Sequence, residues 1–333
     1  MKIAVIILNW NGRELLEKFL PSVTSYSPEA SIYVADNASS DTSIQFVQKN
    51  YPEVTIIKNK INGGYAKGYN DALVSVNADI YCLLNSDVEV TPGWLEPIIT
   101  VFKDYPDAAI VQPKILDYNK RSHFEYAGAA GGYIDSLGYP LCRGRIFQSL
   151  EKDHGQYNDI KEIFWASGAC MFVKSSVFEE LGGFDEDYFA HQEEIDFCWR
   201  ARNRGYKSYY TGFSAIYHVG GATLSNMNPK KTFLNFRNSL FSITKNLPKR
   251  KVFPILLIRL LLDGLAGLRF VFQLKWRHFA AILKAHISFY MHFKRTFSNR
   301  SPIEKPNKYY VTTSIVWSYF VRNMRNFNNL VKD

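Results

Sequence analysis

Two short stretches concentrate side chains able to do chemistry. Asn85-Ser86-Asp87 follows the very apolar run 80–84, and Glu193-Glu194-Ile195-Asp196 sets three carboxylates within four residues. A carboxylate closing a buried strand projects into the crevice at the sheet edge. There it can hold one divalent cation that also takes two phosphate oxygens. Aspartate after a strand often merely caps the next helix, but residues 88–93 intervene here and Thr91 is better placed as that cap. Three adjacent acids repel one another and need a role or a counter-charge. On a helix Glu193 and Asp196 share a face at i, i+3, Glu194 points about 100° away, and Arg200 is spaced to pair with Asp196. The dipole at a helix start accounts for acids there in general.

Position has to come from the elements around these residues. Apolar β-branched runs at 3–8, 32–35, 54–57, 80–84 and 108–111 alternate with helical patterns at 13–25, 41–50, 66–76 and 93–105. That rhythm predicts βαβ units and a mostly parallel α/β sheet whose strand C-termini share one ligand-binding edge. Four polar groups close the strands: Asn9 and Asn11, Asp36 and Asn37, Asn59 to Gly64, and Asn85 to Asp87. Any one suits an ordinary turn; four in succession point to a polar ligand. Neither a GxGxxG nor a GxxxxGK[ST] pattern follows a strand. A diphosphate would therefore be neutralised by a cation, Mn2+ or Mg2+, held through Asp87.

With 333 residues, 47% hydrophobic and 21% charged, the chain is neither disordered nor fibrous. Its net charge of +9 is unevenly spread. Residues 1–229 carry 20 Lys and Arg against 28 acids, whereas 230–333 carry 20 against 3. The split predicts two parts with different partners. Cys82, Cys142, Cys170 and Cys198 form no CxxC pair and read as reduced, mostly buried thiols of a cytosolic compartment. The first apolar run is too short for a signal peptide, so none is expected.

These motifs, in order and spacing, resemble family 2 glycosyltransferases of the GT-A fold, in particular the rhamnosyltransferase-like subgroup of bacterial surface polysaccharide assembly in the cell envelope. The likeness runs through Asn9-Trp10-Asn11-Gly12, Asp36-Asn37-Ala38-Ser39-Ser40-Asp41, Asn62-Gly63-Gly64-Tyr65-Ala66-Lys67-Gly68 and Leu84-Asn85-Ser86-Asp87. It continues through Gly168-Ala169-Cys170-Met171, Gly182 to Phe189 and His191 to Arg200, ending near His218, about two thirds of the chain. The resemblance implies a hexosyltransferase moving sugar from a nucleoside diphosphate to a hydroxyl, with inversion. It implies that Asn9, Asn11, Asp36, Asn37, Asn62, Gly63, Lys67, Asn85 and Ser86 bind nucleotide, Asp36 at the base. A carboxylate accepts from N3–H of uracil or thymine, so a UDP- or dTDP-sugar is expected. Asp87 corresponds to the last acid of the metal motif and His218 to a histidine near metal or diphosphate; Asn85 stands where the wider motif has Asp. Glu194 holds the position of the catalytic base, with Glu193 as its alternative. Trp165, Gly168, Asp185 and His191 are expected at the acceptor, although Trp165 reads equally as core.

The expected organisation is a GT-A catalytic domain at 1–229, divided into nucleotide (1–112) and acceptor (113–229) halves, followed by a basic helical extension at 230–333. Residues 112–165 read as irregular. Within 252–272, fourteen Leu, Ile, Val or Phe are interrupted by Arg259, Asp263 and Arg269. At about −0.5 kcal/mol per apolar residue and about +3 per charge, spanning a bilayer is near break-even at best. Helices lying on an anionic membrane are expected, at the inner face of the cell membrane, with a lipid-linked (polyprenyl diphosphate) glycan as acceptor. Packing on the core or a homodimer contact is the alternative for this segment. Two other functions compete with transfer: a non-catalytic sugar-nucleotide scaffold, and nucleic-acid binding through the basic segment. No reader module marks that segment, so no nucleic acid is expected.

Overall fold

Four strands and three helices open the chain with the predicted alternation: β1 (Ile3–Asn9), α1 (Arg13–Tyr26), β2 (Ala30–Asp36), α2 (Ser43–Asn50), β3 (Thr55–Lys58), α3 (Gly64–Leu73) and β4 (Ile80–Asn85). The computed structural model describes residues 1–220, 228–300, 302–304 and 308–331, so 221–227, at the end of the expected catalytic domain, lie outside the described residues. β1 pairs in parallel with β2 and β4. Its register sets Asn9 opposite Asp36 and Leu8 opposite Asn85, so the polar strand ends stand level on one edge. Alternation along β1 feeds both faces: Ala4 and Ile6 join the cluster with Tyr69 and Phe184, while Ile3, Val5 and Ile7 join Leu16 and Ile98.

After β4 come β5 (Val88–Val90), α4 (Leu95–Asp104) and β6 (Ala108–Asp117). The last runs well past the expected 108–111. Thr91 does not cap α4; its hydroxyl donates to the Ala215 carbonyl at 2.7 Å, because β5 is drawn into the sheet instead. The expected irregular stretch carries β7 (Gly132–Ile134), β8 (Pro140–Cys142), β9 (Arg145–Ile146) and β10 (Ser149–Leu150), which form a second small sheet, then β11 (Ile160–Ile163). Next are β12 (Cys170–Lys174), α5 (Ser175–Glu180), α6 (Glu193–Asn203) and β13 (Lys207–His218). Among the described residues the main sheet runs β11-β13-β6-β12-β4-β1-β2-β3. β12 is antiparallel between β4 and β6, and β5 pairs antiparallel with the end of β13, Val88 opposite His218. That last ladder delivers a distant histidine beside the residue following Asp87.

The basic segment is helical as expected: α7 (Pro229–Asn246), α8 (Lys249–Phe272), α9 (Trp276–Ser298), α10 (Ile315–Phe320) and α11 (Phe327–Val331). α7 is not a detached appendage. Asn238, Lys245 and Asn246 are buried and hydrogen-bond to residues 185–196. All four cysteines are free and buried.

Candidate functional site

The ends of β1, β2 and β4 and the start of α3 form one polar network. Asn9 donates from Nδ2 toward Asp36 Oδ1 (3.4 Å) and Ser39 Oγ (3.3 Å), while its buried Oδ1 has no partner. Asp36 also accepts from the Ser39 amide three residues on, tying down the turn after β2. Asn11, at φ 50°, accepts from the amides of Ser40 and Asp41. Asn37 donates to Asn62 Oδ1 and to the Gly64 carbonyl, and accepts from Asn59. Asn62 in turn accepts from the Gly64 amide, and Gly63 stands at the start of α3. Ser86 lies beside Gly12, where an added Cβ would come within 3.7 Å of its hydroxyl. The sequence places these side chains; their mutual hydrogen bonds fix a rigid rim for a polar ligand. Lys67 is committed differently, to Asp71 at 2.8 Å and Glu186 at 3.6 Å.

At the neighbouring strand end, Asp87 Oδ1 lies 3.1 Å from His218 Nε2. Glu125 Oε2 lies 3.4 Å from the other ring nitrogen, and Asn85 Nδ2 is 3.4 Å from Nε2. All three ionisable groups are buried. Burial alone would lower the His218 pKa, but the charges of Asp87 and Glu125 outweigh it and push it up to about 10. Burial likewise opposes ionisation of Asp87, and the His218 charge reverses the balance and lowers its pKa. A carboxylate and an imidazole, held together by the β5–β13 ladder, suit Mn2+, while Mg2+ would rely on the Asp87 carboxylate. Among the described residues no three His, Cys, Asp or Glu converge on a metal position. Two protein donors completed by phosphate oxygens and water are the usual arrangement for a cation that arrives with a nucleotide. The cation would take the place of the His218 proton.

A strained loop leads to the acids. Phe189 has φ 64° and ψ −59°, and the Ala190 amide bonds the Tyr188 carbonyl at 2.7 Å, a γ-turn of the disfavoured positive-φ kind. His191 (φ 69°) and Gln192 (φ 74°) also lie in the left-handed region. Asn238 of α7 holds the loop, its amide reaching the carbonyls of Tyr188 (3.0 Å), Ala190 (3.1 Å) and His191 (2.7 Å). The Phe189 carbonyl accepts from the Tyr65 amide at 2.7 Å. It passes so close to α3 that a Cβ on Gly64 would sit 2.3 Å from it. Strain of this sort clusters at functional sites.

α6 then starts at Glu193. Burial pushes the Glu194 pKa up to about 7, tempered by backbone amides at the helix start. Burial, with the Glu194 charge behind it, raises Glu193 well above the usual range. One oxygen of each has no partner. Asp196 differs: burial is overcome by Lys245 and Arg200, which hold it down at about 2. Lys245 Nζ bridges Asp196 (2.8 Å) and Asp185 (2.7 Å), and Arg200 pairs with Asp196 at 2.9 Å as its spacing predicts. One acid of the trio is thus a structural anchor, leaving two whose carboxyls are raised, with Glu194 able to exchange a proton near neutrality.

Tyr65 lies between the segments that carry the two acidic centres: its hydroxyl donates to the Gly168 carbonyl at 2.8 Å, and the adjoining Ala169 carbonyl accepts from the Asn85 amide. Burial, then Tyr69, then Glu193 and Glu194 raise the Tyr65 pKa. Cys142, raised chiefly by burial, feels the charges of both Glu125 and Glu194. The residues expected at the acceptor are held as follows. Trp165 is core, 3% exposed, its indole N–H donating to the Tyr133 carbonyl at 2.9 Å, so its ring face is not open for stacking. Asp185 spends one oxygen on the Asp187 amide and the other on Lys245. His191 is largely buried and held neutral, its pKa lowered to about 4 by burial and then by Lys231. Sequence reading missed Glu125, Tyr65, Asn238 and Lys245. Tyr65 sat inside a quoted motif, whereas a lone Glu in a glycine-rich stretch and polar residues in a basic helix carry no local signal.

The family model described as Glycosyl transferase family 2 matches residues 4–182. Rhamnosyltransferase WbbL of Escherichia coli (strain K12) is 38% identical over 225 residues, 65% of this chain and 83% of its own length. N-acetylglucosaminyl-diphospho-decaprenol L-rhamnosyltransferase of Mycobacterium tuberculosis is 24% identical over 229 residues, 64% of this chain and 75% of its own. Among solved structures, mannosyltransferase PcManGT from Pyrobaculum calidifontis in complex with GDP-Man and Mn2+ is similar, with a TM-score of 0.53 and 14% identity over 87% of each chain. At that identity the likeness is one of fold, and the mostly parallel sheet flanked by helices is GT-A.

Proposed function

Because the chain belongs to glycosyl transferase family 2 and is a glycosyltransferase, we propose that it moves a sugar from a UDP- or dTDP-sugar to a hydroxyl of a lipid-linked glycan, in one inverting displacement. dTDP-rhamnose is the preferred donor, in keeping with the rhamnosyltransferase names of two relatives. The mycobacterial relative's name specifies an N-acetylglucosaminyl-diphospho-decaprenol acceptor, which supports a polyprenyl diphosphate carrier here. The reading places the enzyme in the cytoplasm, at the inner face of the cell membrane.

The reading rests above all on the meeting of Asp87 and His218 at 3.1 Å, at the edge where the Asn9–Asp36 network closes the sheet. Asp36 and Asn9 would orient the base, and the amides and side chains around Asn11, Asn37 and Asn62 the rest of the nucleoside. Asp87 and His218 would hold Mn2+ or Mg2+, which, when bound, supplies positive charge to the departing diphosphate. Glu194, or Glu193 beside it, accepts the proton of the acceptor hydroxyl as that oxygen bonds the anomeric carbon and the bond to the diphosphate breaks. No covalent sugar intermediate is required, so no nucleophile is assigned.

Two variants and a ligand screen test this. Asp87→Ala and Glu194→Gln should each abolish measurable transfer with circular dichroism unchanged; full activity in either refutes its assignment. UDP- and dTDP-sugars should raise the melting temperature, more so with Mn2+ present.

A further inference from the structure

α8 is built inside out. Its buried positions are Val252, Ile255, Arg259, Asp263 and Gly267, so the charged pair faces the protein. Leu257, Leu261, Leu265, Leu268 and Phe272 point outward and are each more than half exposed. A helix washed by water shows the opposite arrangement. The inward pair is held by several partners, although the Arg259 Nε has no hydrogen-bond partner of its own. Arg259 donates to Ser239 Oγ at 2.6 Å and to the Leu137 carbonyl, lies 3.8 Å over the Tyr139 ring, and reaches Asp263 at 3.5 Å. Asp263 accepts from the Tyr139 hydroxyl at 2.9 Å and faces His286 at 3.1 Å. These contacts fix the rotation of α8 and so commit its leucine stripe to the outside.

The apolar face is not confined to one helix. Exposed apolar side chains also stand at the α8–α9 turn (Trp276) and on α9 (Ile287 and Met291), and Arg269 stacks over Phe320 of α10, itself half-exposed. Large apolar side chains left in the open in such number mark an interaction site. Charge identifies the occupant. Residues 249–298 hold ten Lys or Arg and a single acid, the buried Asp263. A second copy presenting the same face would bring like charges together, whereas anionic lipid headgroups complement them. Among the described residues no helix is long and apolar enough to cross a membrane.

We propose that the outer face of α8, with the α8–α9 turn, docks into the headgroup layer of an anionic phospholipid bilayer as an interfacial helix pair. α7 connects this face to the acidic loop: it packs on α8 and α9 and holds residues 188–191 through Asn238. The docking surface stands independently of which sugar is transferred.

The test is co-sedimentation of the full chain with phosphatidylcholine vesicles, with or without roughly a third phosphatidylglycerol. The protein should pellet with the anionic vesicles, less so at high salt, and its tryptophan emission should shift to the blue. The double variant Leu261→Glu/Leu265→Glu alters only exposed positions. It should melt as the parent does, keep its sugar-nucleotide thermal shift, and bind the anionic vesicles about tenfold or more weakly. Equal vesicle binding by parent and variant overturns the proposal, as does a parent that ignores anionic vesicles. So does a dimer, seen by light scattering, that the double variant dissociates. Loss of the sugar-nucleotide shift in the parent would instead count against the transferase reading and leave the vesicle result standing.

Discussion

Replacing Asn238 with alanine removes one amide group from three carbonyls at once. The Tyr188 carbonyl keeps the Ala190 amide and Arg237, but those of Ala190 and His191 lose the donor that holds them at 3.1 and 2.7 Å. Leaving a fully buried acceptor unpaired costs about 1–3 kcal/mol; with two carbonyls orphaned, both only partly buried, Asn238→Ala should lower unfolding stability by about 2–4 kcal/mol. Against that anchor stands the strain of Phe189, His191 and Gln192, three non-glycine residues at positive φ, at about 1–3 kcal/mol each. The remaining hold, chiefly the Tyr65 amide on the Phe189 carbonyl, does not match it. The loop should therefore relax and carry Glu193 and Glu194 out of line. A displacement worth about 2 kcal/mol in the transition state is roughly thirtyfold in kcat. Steady-state transfer assays should show that fall with donor KM within about twofold, since the Asn9–Asp36 side does not move. Asn238→Asp, which faces carbonyls with a carboxylate, should fall further. If Asn238→Ala loses the expected stability in urea yet keeps its kcat, the loop holds its shape unaided and the strain argument fails.

His218→Ala should cut kcat by about a hundredfold or more if His218 helps neutralise the leaving group; saturating Mn2+ that fully restores the rate would count against this role. Transfer by the parent should rise as pH climbs through about 7, because Glu194 must give up its proton before it can act as base; a rate already maximal at pH 5 would rule it out. Asp196, at about 2 against its usual 3.8, contributes stability that is fully present above 3.8 and is lost as pH falls toward 2. Lys245→Met should shift acid unfolding, followed by fluorescence, to higher pH and lower the melting temperature at neutral pH. Gly64→Ala should destabilise the fold by about 2 kcal/mol or more, since a Cβ 2.3 Å from the Phe189 carbonyl forces backbone apart; an unchanged melting temperature would show that α3 can yield.

Local pattern carried the first hundred residues because each β-branched run ends in a turn whose Asn, Asp or Gly the backbone requires. Asn9, Asp36 and Asn85 could thus be set on one edge from sequence, and the register does set them level. What lay beyond reach is non-local. The insertion of β12 between β4 and β6 is decided by pairing partners far apart in the chain. So is the β5–β13 ladder that took Thr91 from its expected cap. Spacing sets Arg200 beside Asp196, but the further anchoring by Lys245 and Asn246 comes from a helix about fifty residues on and has no local signal. Trp165 illustrates the reverse: an aromatic beside a glycine-rich motif suits a sugar face or a core equally, and only the Tyr133 carbonyl decided it.

The reach of α7 into residues 185–196 has a practical corollary for anyone trimming the protein. A fragment stopped at residue 229 would strand Asp196 with only Arg200 beside it and release the loop that Asn238 clasps. The smallest piece able to keep its acids in order has to include Asn246, so a fragment that ends between α7 and α8 should keep transfer activity, while one that ends before α7 should lose it.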